Sequence, residues 1–231
     1  FNSFFCDYIK SKDVLSRRQY FTQQSERAEI LRDAISEINR TGAVIVNTVC
    51  DNCNTNIKTL KLLGLDYTVD NDVPTLNLQN AMGKLIFAIL DTPHLIKIVR
   101  NCLGDIRIIL DPDGNKVHWK YIRRLHELQS SKGLFLANKL RKKHIEYHKL
   151  KMSTTIAVQT ISRSVSSALK YCARNDNLPK FRGAIPTSDF LLLFDQLFDV
   201  LNSKFTAGKF SKAPMRSTNK AYWSKVFRDA E

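Results

Sequence analysis

Two short apolar stretches, Ala43 to Val49 and Lys84 to Leu90, are set among segments whose apolar residues recur every three to four positions. A chain patterned this way has few options. The strands pair into a sheet and the amphipathic helices cover it, because each helix has one apolar stripe to bury. The first helix is predicted from Ser25, as its cap, through Arg40, with Ile30, Leu31, Ala34, Ile35 and Ile38 as the stripe and Gly42 just past the end. Ala43 to Val49 follows as a buried strand. A second helix, from about Thr55 to Leu63, stops at Gly64. After the Lys84 to Leu90 strand, Asp91 or Thr92 caps a helix that begins with Pro93, a favoured first-turn residue, and runs to Gly104.

Beyond Gly104 the pattern changes. Ile106 to Leu110 reads as one short strand and Asp111-Pro112-Asp113-Gly114 as a turn. Four helices are then predicted near residues 118–130, 134–152, 155–173 and 187–203, the last capped by Thr187 or Ser188, and residues 208–220 read as a basic tail. The fold class expected is α/β followed by mostly α. Residues 1–103 form one domain, 104–215 a second, and 216–231 a tail or the start of a return segment.

Charge divides along the same line. The chain carries a net +14, yet residues 1–94 hold 10 basic and 11 acidic side chains while residues 95–231 hold 26 and 11. Such an excess concentrates polyanions and releases their counterions on contact, so DNA, RNA or a nucleotide is the favoured partner class over a merely solvated basic surface. The longest unbroken apolar run, Leu85 to Leu90, is far shorter than a membrane span, and no charged-then-apolar leader opens the chain, so no membrane role is expected. A first residue of Phe1 instead of Met leads us to expect a piece of a longer protein.

Cysteines at positions 6, 50, 53, 102 and 172 are odd in number, which argues for a reduced compartment, cytosol or nucleus, over a disulfide framework. Cys50-Asp51-Asn52-Cys53 has the spacing of a redox or zinc motif, and His144 with His148 would complete four ligands. About 90 residues separate the two pairs, however, against 12 to 15 in a compact zinc finger. Small buried fillers, and histidines on a basic helical face, are the plainer readings. Asp51 stands at the end of an apolar strand, where a carboxylate either shares a Mg²⁺ with other carboxylates or caps a turn. No P-loop and no Gly-x-Gly-x-x-Gly cradle is present. Asp195, Asp199 and Asn202 fall at i, i+4 and i+7 beside Phe194, Phe198 and Leu201. A carboxylate accepts paired hydrogen bonds from guanine N1–H and its 2-amino group, so this stripe either reads guanine or is a solvated helix face.

The eleven residues Asp91-Thr92-Pro93-His94-Leu95-Ile96-Lys97-Ile98-Val99-Arg100-Asn101 resemble the Asp-x-Pro-His-Leu-x-Lys-x-x-Arg-Asn signature of P-element-type transposases, the group that includes THAP-domain relatives. Cys50-Asp51 with Asn56 and Lys58, Gln159-Thr160-Ile161-Ser162, and Phe198-Asp199 with Asn202-Ser203-Lys204 join it in order. The resemblance covers roughly residues 40–205. It implies a partial RNase H-like catalytic domain split by a helical GTP-binding insertion, in a nuclear, metal-dependent cut-and-paste DNA transposase.

By the same resemblance Asp51 takes the place of the second of three acidic residues that hold Mg²⁺. The other two lie outside this chain, with neither Asp7 nor Glu231 promoted to the role, so the segment alone is expected to be inactive. Lys139, Lys151, Met152, Ser162, Phe198, Asp199 and Asn202 carry over as the GTP contacts: the lysines for phosphates or stacking, Phe198 shaping the pocket and Asp199 reading the guanine edge. GTP is implied as an organising cofactor, the DNA partner as transposon ends, and the full-length protein as a homo-oligomer. The rival reading is a domesticated, non-catalytic nucleic-acid-binding descendant of such an enzyme.

Overall fold

A computed structural model describes residues 19–65, 75–133, 136–203 and 212–230, and within it the chain divides into two compact units, Phe1–Asp91 and Thr92–Glu231. Cys6, Asp7, Lys204 and Glu231 lie outside the described residues.

In the first unit, helix α1 (Gln19–Arg40) is already under way at the first described residue, so Ser25 falls inside it instead of capping it. Gly42 closes its end at φ 81°, its N–H donating to the Asn39 carbonyl. Strand β1 (Asn47–Cys50), helix α2 (Asn54–Leu62), β2 (Thr75–Gln79) and β3 (Leu85–Leu90) follow. The sheet order is β1-β3-β2, with β1 parallel to β3 through Asn47 opposite Phe87 and Cys50 opposite Leu90, and β2 antiparallel to β3 with an irregularity between Leu76 and Gln79.

Ala28, Leu60, Leu63, Leu65, Leu76 and Ala88 form the core, with Leu31, Cys50 and Leu78 packed at its border. The expected buried strand from Ala43 to Val49 is corrected in both length and burial. Only its last three residues pair, and Val44, Val46 and Val49 are 43, 58 and 60% exposed. On β3, Leu85, Phe87 and Ile89 share the exposed side while Ile86 and Ala88 are buried. The core therefore packs on one face of this sheet, and β-branched residues on the other face have the same composition as buried ones, so residue type alone did not distinguish them.

The second unit opens with helix α3 (Thr92–Ile106), which runs two residues past Gly104. The compositional change near residue 104 thus falls at the end of a helix that packs with this unit. Strands β4 (Ile108–Leu110) and β5 (Lys116–His118) form a hairpin whose turn is held by the Asp111 carboxylate, which accepts from the Asn115 N–H at 2.7 Å. Helix α4 (Trp119–Lys132) ends on Gly133 at φ 65°.

The long helix expected over 134–152 is instead α5 (Lys142–Ile145) followed by a 3-10 turn, Tyr147–Leu150. The His144 ring nitrogen accepts from the Arg141 N–H at 2.9 Å, giving α5 its own cap. The next predicted helix is broken into α6 (Thr154–Thr160) and α7 (Arg163–Arg174), because the Ser162 hydroxyl caps α7 by accepting from Val165 N–H. Helix α8 (Ile185–Leu201) packs against α7, and α9 (Lys220–Arg228) closes over its C-terminal end through Val226, Trp223 and Phe227.

Candidate nucleotide site

Helix α8 carries Asp195, Phe198 and Asp199 on successive turns, and Asn202 is its C-cap, donating its backbone N–H to the Phe198 carbonyl at 2.9 Å. The apolar residues of the same helix settle its rotation: Leu191, Leu197 and Val200 are buried, which leaves the acidic stripe at the border of the core. That border is met by the first turn of α7. The Arg163 guanidinium lies 3.9 Å from the Asp195 carboxylate, and Asp195 is only 15% exposed. Its carboxyl is pushed up to about 6, first by burial and then by the charge of Asp199, while the Arg163 N–H and the charges of Arg163 and Lys212 pull the other way. Two carboxylates one turn apart, partly desolvated, are thus balanced by a helix N-terminus and two cations.

Ser162 stands at the same N-terminus. Its hydroxyl lies 3.1 Å from both the Gln159 carbonyl, to which it donates, and the Ser164 hydroxyl. Ser162, Phe198, Asp199 and Asn202 are all half-buried. Of the sequence candidates, Ser162 and the α8 residues therefore belong to helices in mutual contact. Arg163 was missed in the sequence; the signal was its position directly after the quoted Gln-Thr-Ile-Ser segment.

Lys151 and Met152 lie at the other end of α6 from Ser162, about 10 to 15 Å away at 1.5 Å per residue. Met152 is 71% exposed. The Lys151 ammonium is already engaged, donating to the Asp105 carboxylate at 2.8 and 3.2 Å. Tyr147 donates to the same carboxylate at 2.7 Å. Burial pushes Asp105 up, but these two donors and the Lys151 charge outweigh it and hold its carboxyl below the usual range.

Beneath this group sits Arg100, fully buried, with its guanidinium donating at 3.1 Å to the carbonyls of both Leu150 and Lys151 and lying 4.8 Å from the Tyr147 ring centre. Asn101 donates to the Lys151 carbonyl at 3.3 Å. The Arg-Asn end of the eleven-residue motif thus fixes the backbone that carries Lys151. Gly104 makes room for this, since a methyl there would meet the Tyr147 hydroxyl at 2.2 Å. Lys139 is exposed, in the turn before α5 between the buried Ala137 and Leu140.

The histidines depart from their expected place on a basic face. His144 is fully buried in α5 with its second ring nitrogen 2.9 Å from the Gln159 side-chain oxygen, and burial lowers its affinity for a proton, while His148 is exposed in the following 3-10 turn. The reading of the cysteines as buried fillers holds for Cys102 and Cys172, whereas Cys50 is half-buried and Cys53 exposed. Burial, Asp51 and Cys53 raise the Cys50 thiol, the reverse of what a redox nucleophile needs.

In the first unit Asp51 directly follows β1, as expected. One carboxylate oxygen accepts from the Cys53 N–H at 3.2 Å and from the Asn56 amide at 2.7 Å, a turn-holding arrangement ahead of α2. Among the described residues no three His, Cys, Asp or Glu side chains cluster in a way that holds a metal.

A family model described as the TNP-like, GTP-binding insertion domain matches residues 93–214. The human protein DNA transposase THAP9 is 29% identical over 193 residues, which is 82% of this chain and 21% of that protein. The Drosophila melanogaster Transposable element P transposase is 29% identical over 180 residues, 77% of this chain and 23% of its own length. A solved Drosophila P element transposase strand transfer complex has a similar fold, with a TM-score of 0.74 and 24% identity over 87% of this chain and 44% of that one. This chain spans about a fifth of the length of the curated relatives it matches.

Proposed function

Because this chain belongs to the TNP-like, GTP-binding insertion domain family and is of the P-element transposase type, we propose that its second unit binds GTP along the α8 stripe where the first turn of α7 meets it. The observation that carries this reading is the approach of Arg163, in the first turn of the capped helix α7, to Asp195 on the stripe that continues through Asp199 to Asn202. The donor set suits the ligand. A carboxylate accepts from the guanine N1–H and amino group, the Asn202 amide both donates and accepts, Phe198 offers an apolar edge for the base, and Ser162 a hydroxyl. Lys139, exposed, is the cation available to phosphates. Lys151 is the candidate whose ammonium must leave Asp105 to reach a phosphate, and Met152 flanks it.

Asp199→Ala tests this reading. Guanine left without its acceptor is expected to lose about 2 to 3 kcal/mol, or roughly 30- to 150-fold in affinity. Titration calorimetry with GTP and ATP reads it: a loss for GTP alone supports the site, and equal GTP affinity in variant and parent removes it.

Beyond the nucleotide, the reading places this chain in a DNA-cutting and DNA-joining enzyme of the nucleus, acting on transposon ends as a homo-oligomer. The first unit would then be part of its RNase H-like catalytic domain. The described residues do not fit a complete Mg²⁺ site. Asp51 would be one ligand of a site whose other carboxylates come from outside them. GTP supplies no bond-breaking chemistry in this scheme; its phosphates and base order the residues that hold them.

A further inference from the structure

Away from the α8 stripe, the second unit gathers cations on another face. Lys120, Arg123 and Arg124 occupy the first two turns of α4, and Lys180 and Arg182 lie in and just after the 3-10 turn Pro179–Phe181. Two hydrogen bonds tie these segments together. Arg124 donates to the Lys180 carbonyl and the Tyr121 hydroxyl to the Arg182 carbonyl, both at 2.7 Å. The Lys120 ammonium lies 5.0 Å and the Arg124 guanidinium 5.9 Å from the centre of the Tyr121 ring.

The cations are close enough to act on a common neighbour. Burial lowers His118's affinity for a proton, and the charges of Lys120, Arg124 and Arg123 lower it further. Among the described residues Arg123 pairs with Glu127 at 3.6 Å, and no carboxylate lies within 4 Å of the charged groups of Lys120, Arg124, Lys180 or Arg182. Arg123, Lys180 and Arg182 are exposed, and Lys120 and Arg124 half-buried.

We infer that the start of α4 and the Pro179–Phe181 turn form a docking surface for the phosphodiester backbone of duplex DNA. A solvated basic face spreads its cations on flexible stems and neutralises many of them locally. Here the two central cations are seated on an aromatic ring, and one is fixed by a backbone hydrogen bond. Little side-chain freedom remains to be lost when a phosphate arrives. The 26 basic against 11 acidic residues over 95–231 give the wider attraction that brings a polyanion to this surface. The transposase reading enters only in choosing duplex DNA among polyanions. The surface shares no residue with the proposed nucleotide site.

The test is binding of a fluorescein-labelled duplex of about 30 base pairs to the full chain, from about 50 to 200 mM salt. The variant Lys120→Glu, Arg124→Glu, Lys180→Glu is compared with the equally charge-changing control Lys132→Glu, Lys220→Glu, Arg228→Glu. The surface variant is expected to lose about tenfold or more in affinity, and the slope of log affinity against log salt to fall by about 0.9 for each phosphate contact removed. The control is expected to lose less than threefold.

Equal losses in the two variants, or none in either, overturn the inference. So does displacement of the duplex by polyglutamate at matched charge, which would make the surface a receptor for acidic protein. If Arg124→Glu disturbs folding, the pair Lys120→Gln, Lys180→Gln, Arg182→Gln against Lys132→Gln, Lys220→Gln, Arg228→Gln decides, since it leaves the packed guanidinium in place. GTP titration of the same proteins separates the two readings: a parent that binds duplex but no GTP refutes the nucleotide proposal and leaves this one standing.

Discussion

Replacing Asp195 by Asn is expected to stabilise the protein, and by an amount that depends on pH. The fold holds this carboxyl at about 6 against an ordinary 3.8. Because the folded value is the higher one, the native state favours the neutral acid. The stabilisation from Asp195 is full below about pH 3.8 and is lost as pH rises through 6. At about 1.4 kcal/mol per pH unit, ionised Asp195 at pH 8 costs the fold about 3 kcal/mol.

Asn keeps the shape and the oxygen that faces the Arg163 N–H, and removes the charge. It also removes the ion pair with Arg163, whose side chain is 57% exposed and whose distance is 3.9 Å; that attraction is already contained in the value of about 6. The expected net gain is about 2 to 3 kcal/mol at pH 8, shrinking toward zero by pH 4. Both tryptophans, Trp119 and Trp223, lie in the second unit, so urea unfolding followed by tryptophan fluorescence reports on the unit that carries Asp195. Carboxylates remote from Asp195 titrate alike in both proteins, so the difference between the two curves isolates the Asp195 site with its neighbour Asp199. A gain that does not change between pH 4 and 8, or a less stable Asn variant at pH 8, would refute the reasoning.

Two further substitutions probe the network under Lys151. Gly104→Ala gains about 1 kcal/mol of helix propensity but drives a methyl into the buried Tyr147, so a net loss of about 1 to 3 kcal/mol is expected; an unchanged melting temperature would contradict it. Arg100→Gln leaves the carbonyls of Leu150 and Lys151 without their shared donor and should cost about 3 kcal/mol or more by denaturant midpoint. Arg100→Lys is expected to rescue it only in part, because one ammonium can serve the two carbonyls that a single guanidinium nitrogen now serves but cannot also replace Nε, which donates to the Asn101 side-chain oxygen at 2.8 Å; parental stability in the Lys variant would count against that geometry.

Much of this chain was legible from its residues. Glycines at 42 and 64 sit where helices end because only they take a left-handed backbone without strain, and the Asp-Pro-Asp-Gly turn folds as written. The stripe of Asp195, Asp199 and Asn202 followed from helical spacing alone, and the charge division from counting charged residues along the chain. Strand β2 was missed, although Thr75 to Gln79 alternates in the manner of a half-buried strand. Spacing is local, and whatever is set by local backbone geometry can be read from it.

What the tertiary structure decided involves groups distant in sequence. No periodicity announces that Arg100 reaches the carbonyls 50 residues on, or that His144 is buried against Gln159 instead of lying on a basic face. Nor does a run of valines tell which face of a sheet its helices leave uncovered. Whether Asp195 ionises easily depends first on its burial and on Asp199, and then on an Arg163 and a Lys212 brought to it by folding. The sequence specifies which groups are available. Burial and charge, which act through space, determine what those groups do, and the fold alone sets the distances.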